Sequence, residues 1–309
     1  MKAVVCTRYG PPEVLQIRDL ADPVPRGSDV VIRIRATAVT PSDCFIRSGI
    51  PASPLPARAM LRLFVGFTKP RRAIPGAVLA GEIETAGKNV TRFRAGDRVW
   101  AFTLMRMSCC AERIRLAEKT RLLALAPSNL SHDEAAAIPY AGLLAGHFLA
   151  KADIRKGDRV LVYGASGANG TTAVQLAKGL GAHVTAVCST ANLDLVRSLG
   201  ADEVIDYARE ESPGSRRFDV VFDAAGRKKT SALKEACRKA LTIGGRVVSV
   251  DDGLTWPRRD DIERLKVLVE SGRLKPVIDR RYPLEQIADA HRYVELGHKK
   301  GNVIVTIGG

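Results

Sequence analysis

The sequence has no apolar run approaching the roughly 18 residues that a membrane span needs, which excludes a spanning helix. Its opening stretch, MKAVVCTRYGPPEVL, alternates like a strand and then meets a Pro pair. It lacks the uninterrupted apolar stretch of a secretory leader, so the cytosol (a cytoplasmic protein) is the expectation. Aromatic residues are scarce at 5%, and no basic-plus-aromatic RNA module stands out. No internal repeat and no low-complexity segment is present. The six cysteines, Cys6, Cys44, Cys109, Cys110, Cys188 and Cys237, form no C-x2-C pair. A disulfide framework is out of place in a chain this long. They read as small buried hydrophobes, with a redox role for the adjacent Cys109 and Cys110 as the alternative.

What is present is globular. The chain has 309 residues, 46% hydrophobic and 26% charged, a length that suits two domains each with its own core. Lys plus Arg number 48 against 33 Asp plus Glu, a net charge of +15. That surplus points to anionic partners: nucleotide phosphates, nucleic acid or membrane headgroups. The basic residues fall in short runs at 69–72, 216–217, 227–229, 258–259 and 299–300, most of which read as solvated faces.

Residues 1 to about 122 carry short β-like runs between Gly and Pro, among them 30–34, 80–85 and 98–102. Such runs predict a small barrel or sandwich. Residues 131–151 read as helical, with Ser131 and Glu134 as a capping box and Pro139 as an interruption. From Lys156 the rhythm becomes strand, helix, strand. Strands are predicted at 158–163, 183–187, 203–207, 219–223 and 246–250, and helices at 171–180, 192–199 and 231–241. This alternation predicts a parallel sheet covered on both faces. Helices at 260–269 and 284–295 and a strand at 302–306 follow. The segment 51–75 contains MLRLFVGF and then KPRR. It fits a core-packing excursion, a substrate-covering lid or a membrane-surface contact.

The strand DRVLVY runs into Gly164-Ala165-Ser166-Gly167-Ala168-Asn169-Gly170 and then a helix. This is a G-x-x-G-x-x-G relative of the dinucleotide fingerprint. The turn must be tight, the backbone must approach a pyrophosphate, and the helix start offers free N–H groups. Strand, helix and next strand all stand in register around it. At the end of the second strand an NAD site places a carboxylate for the ribose. Here Cys188-Ser189-Thr190-Ala191-Asn192 stands there, with no carboxylate until Asp194. Ser189, Thr190 and Asn192 with no repelling charge favour NADPH (NADP+), and Tyr207 is placed to flank the adenosine end or to pack.

The chain resembles the zinc-free quinone oxidoreductases (the zeta-crystallin-like branch) of the medium-chain dehydrogenase/reductase superfamily. The resemblance rests on YGPPEVL from Tyr9, VTPSDCFIRSG from Val39, residues 76–87, Gly96-Asp97-Arg98-Val99, EAAAIP from Glu134 and YGASGANGTTAVQLAKGLGA. SLGADEVIDY, FDVVFDAAG and the tail KPVIDRRYPLEQIADAHRYVELGHKKGN continue it. It implies an α/β fold: a GroES-like β-barrel domain (1–122 with 275–309) plus a Rossmann doubly wound parallel sheet (123–274). It implies NADPH-dependent hydride transfer to a quinone or an α,β-unsaturated carbonyl, with enoyl-thioester reduction as the rival within enzymes. A catalytically weak nucleotide-sensing or nucleic-acid-binding protein is the rival outside them. Cofactor contacts are implied at Gly164, Ser166, Gly167, Ala168, Asn169, Gly170, Ser189, Thr190, Asn192, Tyr207, Ala225, Val250 and Asn302.

The resemblance also locates where zinc-dependent relatives keep their ligands. Thr40, Ala77 and Tyr140 occupy those positions, and no four-Cys lobe is present. Catalytic zinc takes three protein ligands, so no metal is expected. The same comparison places the nicotinamide beside 39–45. Thr40 stands where many relatives have an Asn, Phe45 where several have a Tyr, and Leu144 where a Thr is usual. No obvious general acid remains. Asp43 and Tyr140 are the nearest candidates, each with a packing or capping role as the alternative. A quinone can take its proton from water, whereas an enolate needs a donor.

Between the fifth strand and the helix at 260 there is too little chain for another helix and a sixth strand, a shortfall of roughly 30 residues. A five-stranded sheet is therefore predicted. In relatives the sixth strand helps to pair two subunits, so this chain is expected to dimerise differently or not at all, with a more open cofactor end.

Overall fold

The computed structural model describes residues 1–49, 59, 62–226, 230–253 and 255–308. Most of the 51–75 segment's first half lies outside them. Chain contacts divide the molecule into two units, Met1–Tyr140 with Ile278–Gly309, and Ala141–Val277. The sequence expectation put the divisions at 122–123 and 274–275. The difference arises because the first helix after residue 122 packs on barrel strands.

The first unit is β-rich. Its strands are β1 Lys2–Cys6, β2 Leu15–Asp19, β3 Asp29–Val39, β4 Val78–Ala86, β5 Arg98–Phe102, β6 Arg113–Ala117 and β7 Leu123–Leu125. Two strands from the far end of the chain, β13 Ile278–Pro283 and β14 Asn302–Thr306, join them. The seven-stranded sheet runs β13-β14-β3-β4-β5-β7, with β6 also on β3. The long β3 carries this arrangement. It pairs with β14, β4 and β6, and its register shifts twice against β4, which bends the sheet toward closure. Val30, Ile32, Ile34, Leu79, Ile83, Val99, Val303 and Val305 fill the interior. Helix α1 Pro41–Arg47 follows β3 directly. Helix α2 His132–Ala136 starts from the expected capping box of Ser131 and Glu134. His132 stands 3.3 Å from Glu82 of β4, and Arg281 of β13 pairs with Asp133 at 2.8 Å.

The second unit is the parallel sheet. Its strands are β8 Arg159–Tyr163, β9 His183–Cys188, β10 Glu203–Asp206, β11 Phe218–Asp223 and β12 Leu241–Ser249. They run parallel in the order β10-β9-β8-β11-β12. The sheet has the predicted five strands. Period-two alternation sends Val160, Val162, Val220 and Phe222 into one buried cluster, and Leu161, Val187 and Val221 into another on the opposite face. That is why these strands read as continuous apolar runs. The helices are α3 Pro139–Lys151, α4 Ala168–Gly179, α5 Leu193–Ser198, α6 Ala232–Lys239 and α7 Arg259–Glu270.

Several boundaries differ from the sequence reading. Pro139 interrupts the 131–151 helix by opening a helix of its own, where its missing N–H costs nothing. Helix α4 begins three residues before the predicted start, inside the glycine motif. Strand β12 begins at Leu241, earlier than predicted. The 284–295 helix divides into a 3-10 turn, Leu284–Gln286, and α8 Ile287–Glu295, and β13 was not expected. All six cysteines are free and buried. Burial pushes the Cys109 thiol up to about 12 and Cys110 well above its usual value, which disfavours thiolate chemistry at the pair. No helix among the described residues is long and apolar enough to cross a membrane.

Candidate active site

In the parallel-sheet unit the glycine motif is built from three glycines with three different reasons. Gly164 has φ +76°, and a Cβ there would meet the Ala225 Cβ at 3.0 Å. Its N–H and that of Ala165 both donate to the Val187 carbonyl, at 3.1 and 3.0 Å. Gly170 has ordinary backbone angles, but a Cβ would lie 2.2 Å from the Gly164 carbonyl oxygen. It is glycine so that α4 can pack on the turn. Gly167 is neither strained nor crowded. Its φ is −76°, and an added Cβ would meet only the Gly164 oxygen, at 3.6 Å. Nothing among the described residues requires glycine there. Close approach of a phosphate to the backbone would require it.

Gly167 is also the N-cap of α4, and no side chain caps it. The first N–H groups of a helix have no partner within it, so those of Ala168 and Asn169 face outward with the positive end of the dipole. The Asn169 Oδ1 is buried without a hydrogen bond. Asn192 links the motif to the end of β9. Its Nδ2 donates to the Ser166 and Ser189 hydroxyls at 3.1 and 3.0 Å, while its Oδ1 is buried and unbonded. These open backbone groups and orphaned amide oxygens fit a dinucleotide.

One sequence expectation needs correction here. The end of β9 is not free of negative charge. The Thr190 hydroxyl donates to the Asp206 carboxylate at 2.5 Å, a residue supplied by β10. The Thr190 bond holds Asp206 below the usual carboxylate range. Arg209 stands 3.6 Å from Asp206 with most of its side chain exposed. Strand pairing, not sequence proximity, brings Asp206 to Thr190, and Arg209 follows three residues after Asp206. Tyr207 follows directly; it is 47% exposed, and its N–H bonds to the Cys188 carbonyl at 3.1 Å.

A second unanticipated feature lies beneath the turn after β11. Asp223 accepts the N–H groups of Ala225 and Gly226 at 3.2 and 3.1 Å. The Lys234 ammonium, 2.7 Å from Asp223, also donates to the Gly226 carbonyl at 2.6 Å. Both side chains are almost wholly buried. The pair fixes the turn that carries Ala225 against Gly164. Val250 donates its N–H to the Asp223 carbonyl at 3.1 Å. The implied cofactor residues of this unit, Gly164, Ser166 to Gly170, Ser189, Thr190, Asn192, Tyr207, Ala225 and Val250, therefore gather at the C-terminal ends of β8 to β12, where open α/β sheets bind ligands.

In the barrel unit Thr40 and Asp43 form a reciprocal cap on α1. Thr40 donates its hydroxyl and its N–H to the Asp43 Oδ2, at 2.6 and 2.8 Å, and Asp43 returns its own N–H at 3.3 Å. Burial pushes Asp43 up to about 6, and bonds from Thr40 and the Gly76 N–H oppose it. Tyr140 and Ser42 share a hydroxyl hydrogen bond of 3.0 Å, and Phe102 meets the Tyr140 ring edge-on at 5.8 Å. Phe45 lies on α1, and Asn302 is buried at the start of β14. Asn302 thus belongs to the barrel unit.

The donor chemistry of this unit does not fit zinc. Ala77 offers no donor, Thr40 is committed to Asp43, and Tyr140 is bonded to Ser42. Among the described residues no three His, Cys, Asp or Glu side chains are grouped to hold a metal. His291 is buried, and burial pulls it down to about 3.

Comparison with known proteins agrees with this architecture. Residues 26–154 match the alcohol dehydrogenase GroES-like domain, and residues 168–272 and 253–305 match zinc-binding dehydrogenase models. The NADPH-dependent alkenal/one oxidoreductase of Arabidopsis thaliana chloroplasts is 32% identical over 329 aligned positions, covering 99% of this chain and 79% of the relative. Because 329 exceeds 309, the relative carries residues that this chain lacks. The chloroplast envelope quinone oxidoreductase homolog of Arabidopsis thaliana is 33% identical, covering 92% of this chain and 91% of the relative. Among solved structures, the quinone oxidoreductase from Coxiella burnetii superposes with a TM-score of 0.81 at 25% identity, covering 100% of this chain and 99% of that one. An NAD-dependent alcohol dehydrogenase gives 0.82 at 29% identity, with full coverage of both chains. The chain belongs to the medium-chain dehydrogenase/reductase superfamily, in its quinone oxidoreductase branch.

Proposed function

We propose that this protein is a zinc-independent, NADPH-dependent reductase of quinones or of alkenes conjugated to a carbonyl. The observation that carries the reading is Gly167, a glycine that the protein itself does not need at a helix start with unbonded N–H groups. Similarity to an alkenal/one oxidoreductase and to quinone oxidoreductases supports the acceptor class. A bound nicotinamide supplies the hydride. The chain's residues bind, orient and protect. Gly164 to Gly170 take the pyrophosphate, and Asn192 holds Ser166 and Ser189 in place beside it. Arg209, 3.6 Å from the Asp206 carboxylate that holds Thr190, offsets that charge and is available to a ribose phosphate; this favours NADPH over NADH.

In the barrel unit Asp43 fixes the Thr40 hydroxyl by accepting its proton and donating an N–H to its oxygen, which leaves one lone pair to accept from the nicotinamide ribose. Tyr140 and Ser42 form the hydroxyl pair available to hold a proton near the acceptor. A quinone does not require that proton from the protein. The shortened edge after β12 favours a chain that is monomeric or dimerises by another surface. NADPH oxidation with a panel of quinones, enones and enoyl thioesters, with NADH in parallel, tests the reading. Turnover of a quinone or enone, faster with NADPH, is expected. No turnover of any acceptor defeats it, and selective turnover of enoyl thioesters moves the assignment to that class.

A further inference from the structure

One face of the barrel unit carries large apolar side chains in water. Leu63, Phe64, Phe67 and Met105 are 52%, 67%, 53% and 51% exposed. They come from two separate segments, a helical stretch with the turn after it at 62–71 and a 3-10 turn at 103–108. Phe64 and Met105 line the same shallow hollow as Arg71 and Arg72, so the two turns meet on one face. Arg72 and Arg106 line the neighbouring hollow. Lys69, Arg71 and Arg72 are exposed and make no ion pair among the described residues. The sequence holds no carboxylate between Asp43 and Glu82, while it holds six Lys or Arg there.

The exposure is built into ordered turns. Gly66 has φ +116°, and a Cβ there would lie 2.0 Å from the Lys69 carbonyl oxygen. The turn closes by Arg71 N–H to the Val65 carbonyl at 2.7 Å. The Tyr9 hydroxyl donates to the Gly66 carbonyl at 2.7 Å, and Arg62 reaches the Phe67 carbonyl at 3.0 Å from over the Tyr9 ring. The second turn carries three non-glycine residues at positive φ, Leu104, Met107 and Ser108. Such angles cost free energy and persist only where surrounding structure imposes them. Here the Thr103 hydroxyl holds the Met107 carbonyl at 3.2 Å, and Arg106 holds the Arg115 carbonyl at 2.8 Å.

We propose that this face docks the protein on a bilayer containing anionic phospholipids, with Phe64, Phe67, Leu63 and Met105 entering the headgroup boundary and Lys69, Arg71, Arg72 and Arg106 meeting the phosphates. Apolar side chains that project, ringed by unpaired cations, match an interface with an apolar interior and an anionic rim. Projecting Leu and Met have no role against a polyanion in water. Asp43 lines the same hollow, so this face adjoins the α1 cap, and vesicle binding is read without turnover.

The test is co-sedimentation with vesicles of phosphatidylcholine alone or with about one third phosphatidylserine. Binding is expected only to the anionic vesicles, and high salt should reverse it. Arg71→Ala with Arg72→Ala should weaken it about thirtyfold, and Phe64→Ala with Phe67→Ala about tenfold. A Phe64→Trp variant should shift its fluorescence to the blue on adding the vesicles. The proposal falls if the protein stays in the supernatant, binds both vesicles equally, or shows no shift. It also falls if the Phe pair has no effect while the Arg pair abolishes binding, which would indicate a soluble polyanion instead.

Discussion

The glycine turn after β8 and the cap of α1 belong to different units and are held by contrasting means. The turn works through missing side chains. Its surface is backbone, and its energetics are steric. The α1 cap works through buried side chains, with a carboxylate and a hydroxyl locked together. A steric site responds to a single methyl group and ignores pH. A buried carboxylate responds to pH and tolerates an isostere.

The largest expected effect lies beneath the turn. Lys234→Met leaves Asp223 buried without its partner and should cost about 3–5 kcal/mol, read from urea unfolding. A loss below about 1 kcal/mol would mean that water reaches the pair. Gly170→Ala should cost on the order of 3 kcal/mol, because its Cβ has no room. Gly167→Ala should change stability by less than about 1 kcal/mol yet weaken NADPH binding about tenfold or more. Equal stability losses at the two glycines would erase the distinction between packing and ligand approach.

The cap should separate from the turn through pH. Asp43 has its folded value raised to about 6 from 3.8. The folded state therefore holds this proton more tightly than the unfolded state. Its stabilising contribution is complete below about pH 4 and is lost as pH rises through about 6, a total of about 3 kcal/mol. The stability difference between Asp43→Asn and the parent should follow that curve, and a flat difference would show that Asp43 is ionised throughout. The smallest effect is at the ribose end. Arg209→Ala should weaken NADPH binding about fivefold and leave NADH unchanged; equal losses for both would move the phosphate elsewhere.

Much of the fold was legible because period-two apolar strands and glycine spacing are local signals. Five strands, the Ser131 cap and the α4 start region all sit in short stretches. What was not legible depends on partners distant in sequence. Asp206 reaches Thr190 only through the pairing of β10 with β9. Lys234 and Asp223 stand eleven positions apart in sequence, and nothing in that spacing signals their pairing. Strand β13 escaped because IDRRYP is polar, and only its pairing with β14 makes it a strand. In the sequence Thr40 and Asp43 carry separate expected roles, with capping only the alternative for Asp43, and their reciprocal bonding depends on the extended backbone at Thr40.

The pairing of β3 with β14 has a consequence for how the molecule is made. Val39 is laid against Val303, so the barrel cannot close until nearly the whole chain has left the ribosome. The parallel-sheet unit is one contiguous stretch, Ala141–Val277. It can form while the barrel strands ahead of it still wait for their last partner. During that interval the edge of β3 that takes β14 is without its partner, and an unpaired strand edge is a template for wrong pairing.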